Sequence, residues 1–194
     1  RIKDRLNLYF YAKYFLMNVL NAFQRMLLFF FMISLLSCSK DADEETLSTL
    51  NTKEQIAEQI LIKTNAIRRA NGLTDLTQND EMDQLAVLHS ENMITFNFFD
   101  HVDHENKSPS DRADDLNFGW SRIAENIGQV PWFENVNGCG DTRSVEAISD
   151  CVVEGWRNSP GHYANMIGNF EELGVGVAFT KDSIAYFTQV FRTP

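Results

Sequence analysis

The chain is expected to fold as an α/β protein, a three-layer α/β/α sandwich, and three observations predict it. Apolar residues recur at helical spacing through two long stretches, residues 56–67 and 82–93. They do so again at Val145, Ile148, Val152 and Trp156. Near the C-terminus the period falls to two, with Leu173, Val175, Val177 and Phe179 alternating with Gly174, Gly176 and Ala178. After Lys181-Asp182, residues 184–191 are apolar on both sides, as in a hairpin covered by helices on its two faces. With 194 residues and no internal repeat, this is one domain plus an appendage.

Taken in order, Thr52-Lys53-Glu54-Gln55 forms a capping box that opens the first helix. Ile56, Ile60 and Ile67 mark its apolar face, Arg68 and Arg69 occupy its last turn, and Gly72 stops it. A loop through Leu76 leads to a second helix beginning near Asn79, with Met82, Leu85, Ala86, His89 and Met93 on one side. His89 lies within that core stripe and is read as a hydrogen-bonded core histidine, not a ligand. Phe96, Phe98 and Phe99 end the helix just before Asp100 and His101, and His104 follows in a polar loop. Ser108-Pro109 is an N-cap with proline at the first helical position, so a short helix carries Arg112, Leu116 and Phe118. Residues 120–130 are expected to be irregular or briefly extended, and residues 131–141 a loop containing Cys139. The helix of residues 145–156 ends where Ser159-Pro160-Gly161 forces a turn, and His162 follows at a tight corner.

The first 38 residues stand apart. They hold five Lys/Arg and a single acidic residue, Asp4, which leaves 12 basic against 26 acidic residues and a formal charge of −14 for the remainder. So acidic a surface excludes nucleic acid and anionic lipid as the main partners. Residues 26–37 are an apolar run of signal-peptide length preceded by Arg25, too short for a comfortable membrane span. Initiation at Met17 or Met26 would make this segment an ordinary secretory leader. Leu35-Leu36-Ser37-Cys38 resembles a bacterial lipobox, in which the cysteine is lipidated and becomes the mature N-terminus; a plain leader with an incidental cysteine is the alternative. Residues 39–51 are charged and unpatterned and are expected to form an acidic, solvated tether. Their charge resembles the export signals that carry lipoproteins of some Gram-negative bacteria to the cell surface. A cell-surface or outer-membrane lipoprotein is therefore expected, with periplasmic or secreted forms as alternatives. Cys139 and Cys151 then form an even pair in an oxidising compartment, so a disulfide is expected over two free thiols. In the chain-entropy description, closing so short a loop stabilises the fold by roughly 3 kcal/mol.

Three segments set an ionisable side chain among apolar or turn-forming neighbours: Phe98-Phe99-Asp100-His101, Ala124-Glu125-Asn126 and Gly161-His162. His101, Glu125 and His162 are expected to converge on one cleft. HSENM at 89–93, F-x-H at 99–101, S-P-x-D-R at 108–112, AENIG at 124–128, GW-x-NSPGHYANM at 155–166, LGVGVA at 173–178 and FTQVF at 187–191 follow in that order. In this combination, over roughly residues 55–193, the chain resembles the CAP superfamily. That is the SCP-like domain of cysteine-rich secretory proteins, insect antigen 5 and plant pathogenesis-related proteins, and its short bacterial branch is the nearest likeness. The resemblance implies an α/β/α sandwich for residues 52–194 and a cleft with two histidines and two acids. His101, Glu125 and His162 match three of the four positions. The second acid of eukaryotic members follows the helix tryptophan by three positions, where this chain has Ser159. Glu154 is a weak substitute, because at 100° per residue it lies opposite the Val152/Trp156 stripe.

Two imidazoles with a neighbouring carboxylate suit zinc or another divalent metal at His101 and His162, with an open position for water or ligand. The same trio suits general-base chemistry, with Glu125 orienting a histidine. It also suits a purely structural buried polar network. Two functions stay open on these grounds. One is a membrane-tethered, monomeric envelope or surface module that binds a lipid, glycan or protein in the cleft. The other is a metal-assisted, peptidase-like hydrolase, against which stands the lack of an evident nucleophile.

Overall fold

The computed structural model describes residues 40–194, with side chains from residue 51 onward. The leader expected at residues 1–38, its start codon and the lipidation expected at Cys38 fall outside the described residues. The chain divides into units over Arg1–Thr49 and Leu50–Pro194. Its elements in order are α1 (Lys40–Ala70), β1 (Thr77–Gln78), α2 (Asp80–Thr95), α3 (Pro109–Asp115) and β2 (Arg122–Pro131). Then come α4 (Val145–Arg157), α5 (Pro160–Met166), β3 (Glu172–Phe179) and β4 (Ile184–Thr193). Three expectations need correction. Helix α1 begins at Lys40, so the Thr52 box falls inside it and the span read as an unpatterned tether is largely helical. No Gly or Pro between residues 40 and 51 interrupts it. Residues 122–131, most of them expected to be irregular or briefly extended, form a full ten-residue strand, and β1 is a two-residue strand that the pattern did not suggest.

The sheet order is β1-β3-β4-β2, with β1 parallel to β3 and the other pairs antiparallel. Ile56 and Ile60 of α1, Ile148, Val152, Val153 and Trp156 of α4 and Met166 of α5 cover one face, against Val175, Val177, Phe187 and Phe191. Met82, Leu85 and Ala86 of α2 and Ala113 of α3 cover the other, against Val190. This is the three-layer sandwich, and it explains why the C-terminal hairpin is apolar on both sides.

The glycines of β3 set how close α2 lies. A Cβ on Gly174 would sit 2.0 Å from the Met82 backbone, and one on Gly176 2.1 Å from that of Ala86. Helix α2 starts where expected, with the Asn79 side chain accepting from the Met82 N–H. Asp83, one turn in, accepts the Val175 N–H at 2.8 Å and ties helix to strand.

Gly176→Ala should therefore lower stability by about 2 kcal/mol or more, since backbone cannot yield as a side chain does. Gly155→Ala, in helix α4 with nothing within 4 Å of the new methyl, should raise it by about 0.5–1 kcal/mol. Urea titrations of both variants check this; equal effects would show that the contact between α2 and β3 is not tight.

Candidate functional site

The site is assembled on β2. Even-numbered residues of this strand bond to β4, as shown by the neighbouring Trp132 N–H to Ser183 C=O bond of the same register. Side chains alternate between the two faces. Glu125 thus points to the α2–α3 layer and Asn126 to the α1–α4–α5 layer, so two adjacent residues serve opposite sides of the sheet.

On the Glu125 side, Arg112 of α3 donates through Nη2 to Glu125 Oε2 at 2.5 Å, and His101 Nδ1 lies 2.9 Å from Glu125 Oε1. The carboxylate is 1% exposed, so its charge is matched by a cation within the fold, as burial of a charge requires. Arg112 is placed by the first turn of α3, where the Ser108 N-cap forms as expected and closes, with Asp111, into a capping box. Through Nη1 it also donates to the His101 and Lys107 carbonyls, at 2.8 and 3.0 Å. His89 is fully buried and meets the Asp100 carbonyl with Nε2 at 3.0 Å, with Glu125 Oε1 at 3.7 Å. It is the hydrogen-bonded core histidine that its stripe implied, and it fixes the backbone just before His101. Its Nδ1 has no partner among the described residues.

On the Asn126 side, the Asn126 amide donates to the His162 carbonyl at 3.2 Å and to Gln189 Oε1 at 3.1 Å. Asn165 donates to Asn126 Oδ1 at 2.9 Å and to the Glu125 carbonyl at 3.1 Å. Gln189 donates to Thr64 of α1 at 2.9 Å. This chain of amides holds the first turn of α5, where His162 sits. The two imidazoles meet at the rim with ring centroids 6.4 Å apart, inclined at 56°. His101 keeps 45% of its side chain exposed, and His162 is half-buried.

All three expected residues therefore come together, and the fourth does not. Glu154 is exposed and pairs with Arg157 at 3.1 Å, away from the histidines. Ser159 makes no side-chain cap bond to α5. Arg112, Asn165 and Gln189 carried no functional role in the sequence reading. Their signals were the S-P-x-D-R, NSPGHYANM and FTQVF motifs that contain them. Beside His162 opens a cavity of about 470 Å³, lined by Ile127, Val130, Pro131, Val136, Val152, Trp156 and the disulfide. The Cys139–Cys151 bond forms as expected, with Cα atoms 5.4 Å apart. Trp156 Nε1 donates to the Ile127 carbonyl at 2.8 Å, so the helix tryptophan closes the floor of this cavity.

The hydrogen bond to Glu125 holds the His101 ring above its ordinary titration range. Burial, with the neighbouring His101, holds His162 below it. As to metals, no cluster of three or more His, Cys, Asp or Glu suited to an ion occurs among the described residues. With metal–nitrogen bonds of ~2.0–2.1 Å and tetrahedral angles, two ring centroids lie about 5 Å apart, so the His101 and His162 rings, at 6.4 Å, would have to close by about 1 Å to share an ion. Glu125 has both oxygens engaged and could act only behind His101, as the carboxylate that fixes ring orientation.

A layered sandwich with a carboxylate-backed histidine facing a second histidine is the class of site that fold and geometry define. The model of the cysteine-rich secretory protein (CAP) family matches residues 61–191, and this chain belongs to that family. It is 32% identical over 151 residues to the uncharacterized membrane protein YlbC of Bacillus subtilis, covering 77% of this chain and 37% of the relative. It is 28% identical over 152 residues to the uncharacterized protein YkwD of the same organism, covering 76% and 52%. The chain thus spans about half or less of these relatives. Among solved structures, an extracellular SCP-domain protein of Bacillus anthracis superposes with TM-score 0.58 at 26% identity, over 73% of this chain and 41% of that one. An outer surface protein of Borrelia burgdorferi superposes with TM-score 0.60 at 19% identity, over 73% and 94%, and shows the fold alone.

Two outcomes follow from this geometry. Arg112→Leu leaves Glu125 buried without its cation and should cost about 3–5 kcal/mol in urea unfolding; a loss below about 1 kcal/mol would mean that the carboxylate is solvated. In NMR titrations the His101 ring should lose its proton above pH 6.5 and the His162 ring below it. Because the His101 value is raised on folding, its contribution to stability is in place below pH 6.5 and disappears as pH rises through the folded value. Coincident midpoints for the two rings would contradict the Glu125 contact.

Proposed function

We propose that this chain is an exported, membrane-tethered binding module of the CAP family that engages a lipid, glycan or protein of the cell envelope at the His101/His162 rim. The observation that carries this reading is the lock on Glu125. With one oxygen on Arg112 and the other on His101, the carboxylate serves to position a half-exposed ring and is not free as a base or ligand. The apolar cavity beside His162 supplies contact area next to that polar pair, the usual composition of a ligand site. Zinc or another divalent metal held by His101 and His162 would add a Lewis-acid position for a polar group of the ligand. Export and tethering rest on the leader-like run and lipobox-like Leu35-Leu36-Ser37-Cys38, on the disulfide, and on the extracellular SCP-domain protein that shares the fold. Among the described residues no helix is long and apolar enough to cross a membrane.

A second reading, a metal-assisted hydrolase acting on peptides or envelope polymers, is favoured by one feature. His101 backed by Glu125 has the build of an oriented general base. It ranks second because neither Ser159 nor the disulfide-bonded cysteines offer a nucleophile to that ring.

Calorimetric titration with zinc, paired with thermal melts, tests the site. The wild type should bind, while His101→Ala and His162→Ala should each abolish binding and change stability by about 1 kcal/mol or less. The double variant should behave like either single one, because each alone breaks the coordination. No zinc binding by the wild type, with strongly destabilised single variants, would make the histidines structural and remove the hydrolase reading.

A further inference from the structure

The two edges of the sheet are finished differently. On β2 the outward carbonyls of Glu125, Ile127 and Pro131 are taken by Asn165, Trp156 and Thr142. On the opposite edge β1 pairs with β3 only at Glu172 and Leu173. The Thr180 N–H to Ile184 C=O bond shows that even-numbered residues of β3 bond to β4, so Val175 and Val177 turn their amides outward. Asp83 takes the Val175 N–H. The Val175 C=O and both backbone groups of Val177 have no hydrogen-bond partner among the described residues.

This open stretch floors a groove of about 260 Å³ between α1 and α2. Glu54 and Glu58 of α1 stand on one wall, and Asp83 and Glu91 of α2 on the other, with Lys53 the single cation. Glu54, Glu58 and Glu91 are exposed and make no ion pair among the described residues. Unused ladder groups recruit an added strand, and unpaired carboxylates on both walls recruit cations.

We propose that the groove between α1 and α2 binds an extended, Lys/Arg-bearing segment of a partner protein, which adds to the sheet as a strand against Val175 and Val177. An added strand sends alternate side chains to opposite faces. One row reaches the α1 carboxylates and the other Glu91, so the segment carries basic residues on both faces. A second copy of this chain is disfavoured, because pairing edge to edge would bring two acidic rims together. The site is at the far edge of the sheet from Glu125 and does not depend on the histidines.

The test uses the full chain and a fluorescein-labelled Lys-Val-Lys-Lys-Val-Lys peptide, read by fluorescence anisotropy. Saturable binding is expected, weakening as salt rises from about 50 to 300 mM. The same peptide with Glu for Lys should not bind. Charge reversal at Glu54→Lys, Glu58→Lys and Glu91→Lys together should weaken binding at least about tenfold, and Glu58→Gln alone by a smaller factor. A backbone N-methylated peptide should lose at least about tenfold as well, since it keeps the charge but not the ladder donors. The Val177 amide should gain protection from hydrogen exchange when the peptide is bound. No saturable binding, equal binding of the N-methylated or Glu-bearing peptide, or indifference to the charge reversals would overturn the proposal. So would a dimer in sedimentation that protects the Val177 amide without peptide, or protection of that amide by residues 1–39 of the same chain.

Discussion

The buried pair of Arg112 and Glu125 is the constraint on which the rest of the site depends. A guanidinium with five donors in a rigid fork can hold a carboxylate and still reach backbone carbonyls, and Arg112 does both. One side chain thereby joins α3, β2 and the loop that carries His101. A lysine would supply charge without the second reach. Because Glu125 is anchored from behind, its other oxygen is free to hold His101 Nδ1, and that hydrogen bond leaves Nε2 as the nitrogen available outward.

Strand β2 performs two tasks because side chains alternate. Glu125 organises the α2–α3 layer while Asn126, one residue on, organises α5 through the His162 carbonyl, Asn165 and Gln189. Each histidine is thus fixed from a different layer, and the two meet where the layers approach at the strand. Relative placement of the rings is a property of the sandwich as a whole.

Much of this was legible in the residues. Helix α2 could be read from Asn79 and its stripe, α3 from Ser108-Pro109, and the hairpin from its period-two glycines, since each signal is local. The segment expected to be irregular or only briefly extended, β2, has Glu125 and Asn126 buried on opposite faces and Gly128 pressed against Val152 and Trp156. Buried polar residues erase the alternation by which a strand is recognised, and only their partners from α3, α5 and β4 make burial tolerable. For the same reason the trio His101, Glu125 and His162 could be named from motifs, but the role of Arg112 could not. Its partner is 13 residues away and across an element boundary. Helix α1 failed in the other direction: a good capping box at Thr52 sits inside a helix, because no breaker precedes it.

The division of labour within the site bears on which of its residues can vary. The charged groups whose loss would destabilise the fold, Arg112 and Glu125, are buried, and the groups that meet solvent, the two imidazoles, are held by single contacts at the rim. A buried ion pair loses heavily when one partner is removed, whereas an exposed ring loses little. The rim can therefore change by substitution while the frame behind it stays fixed. Ser159 fits that picture, standing where eukaryotic relatives place their second acid and yet leaving the Glu125–His101 geometry intact. The orientation of the His101 ring does not depend on an acid at position 159, because the acid that orients it is the one tied to arginine.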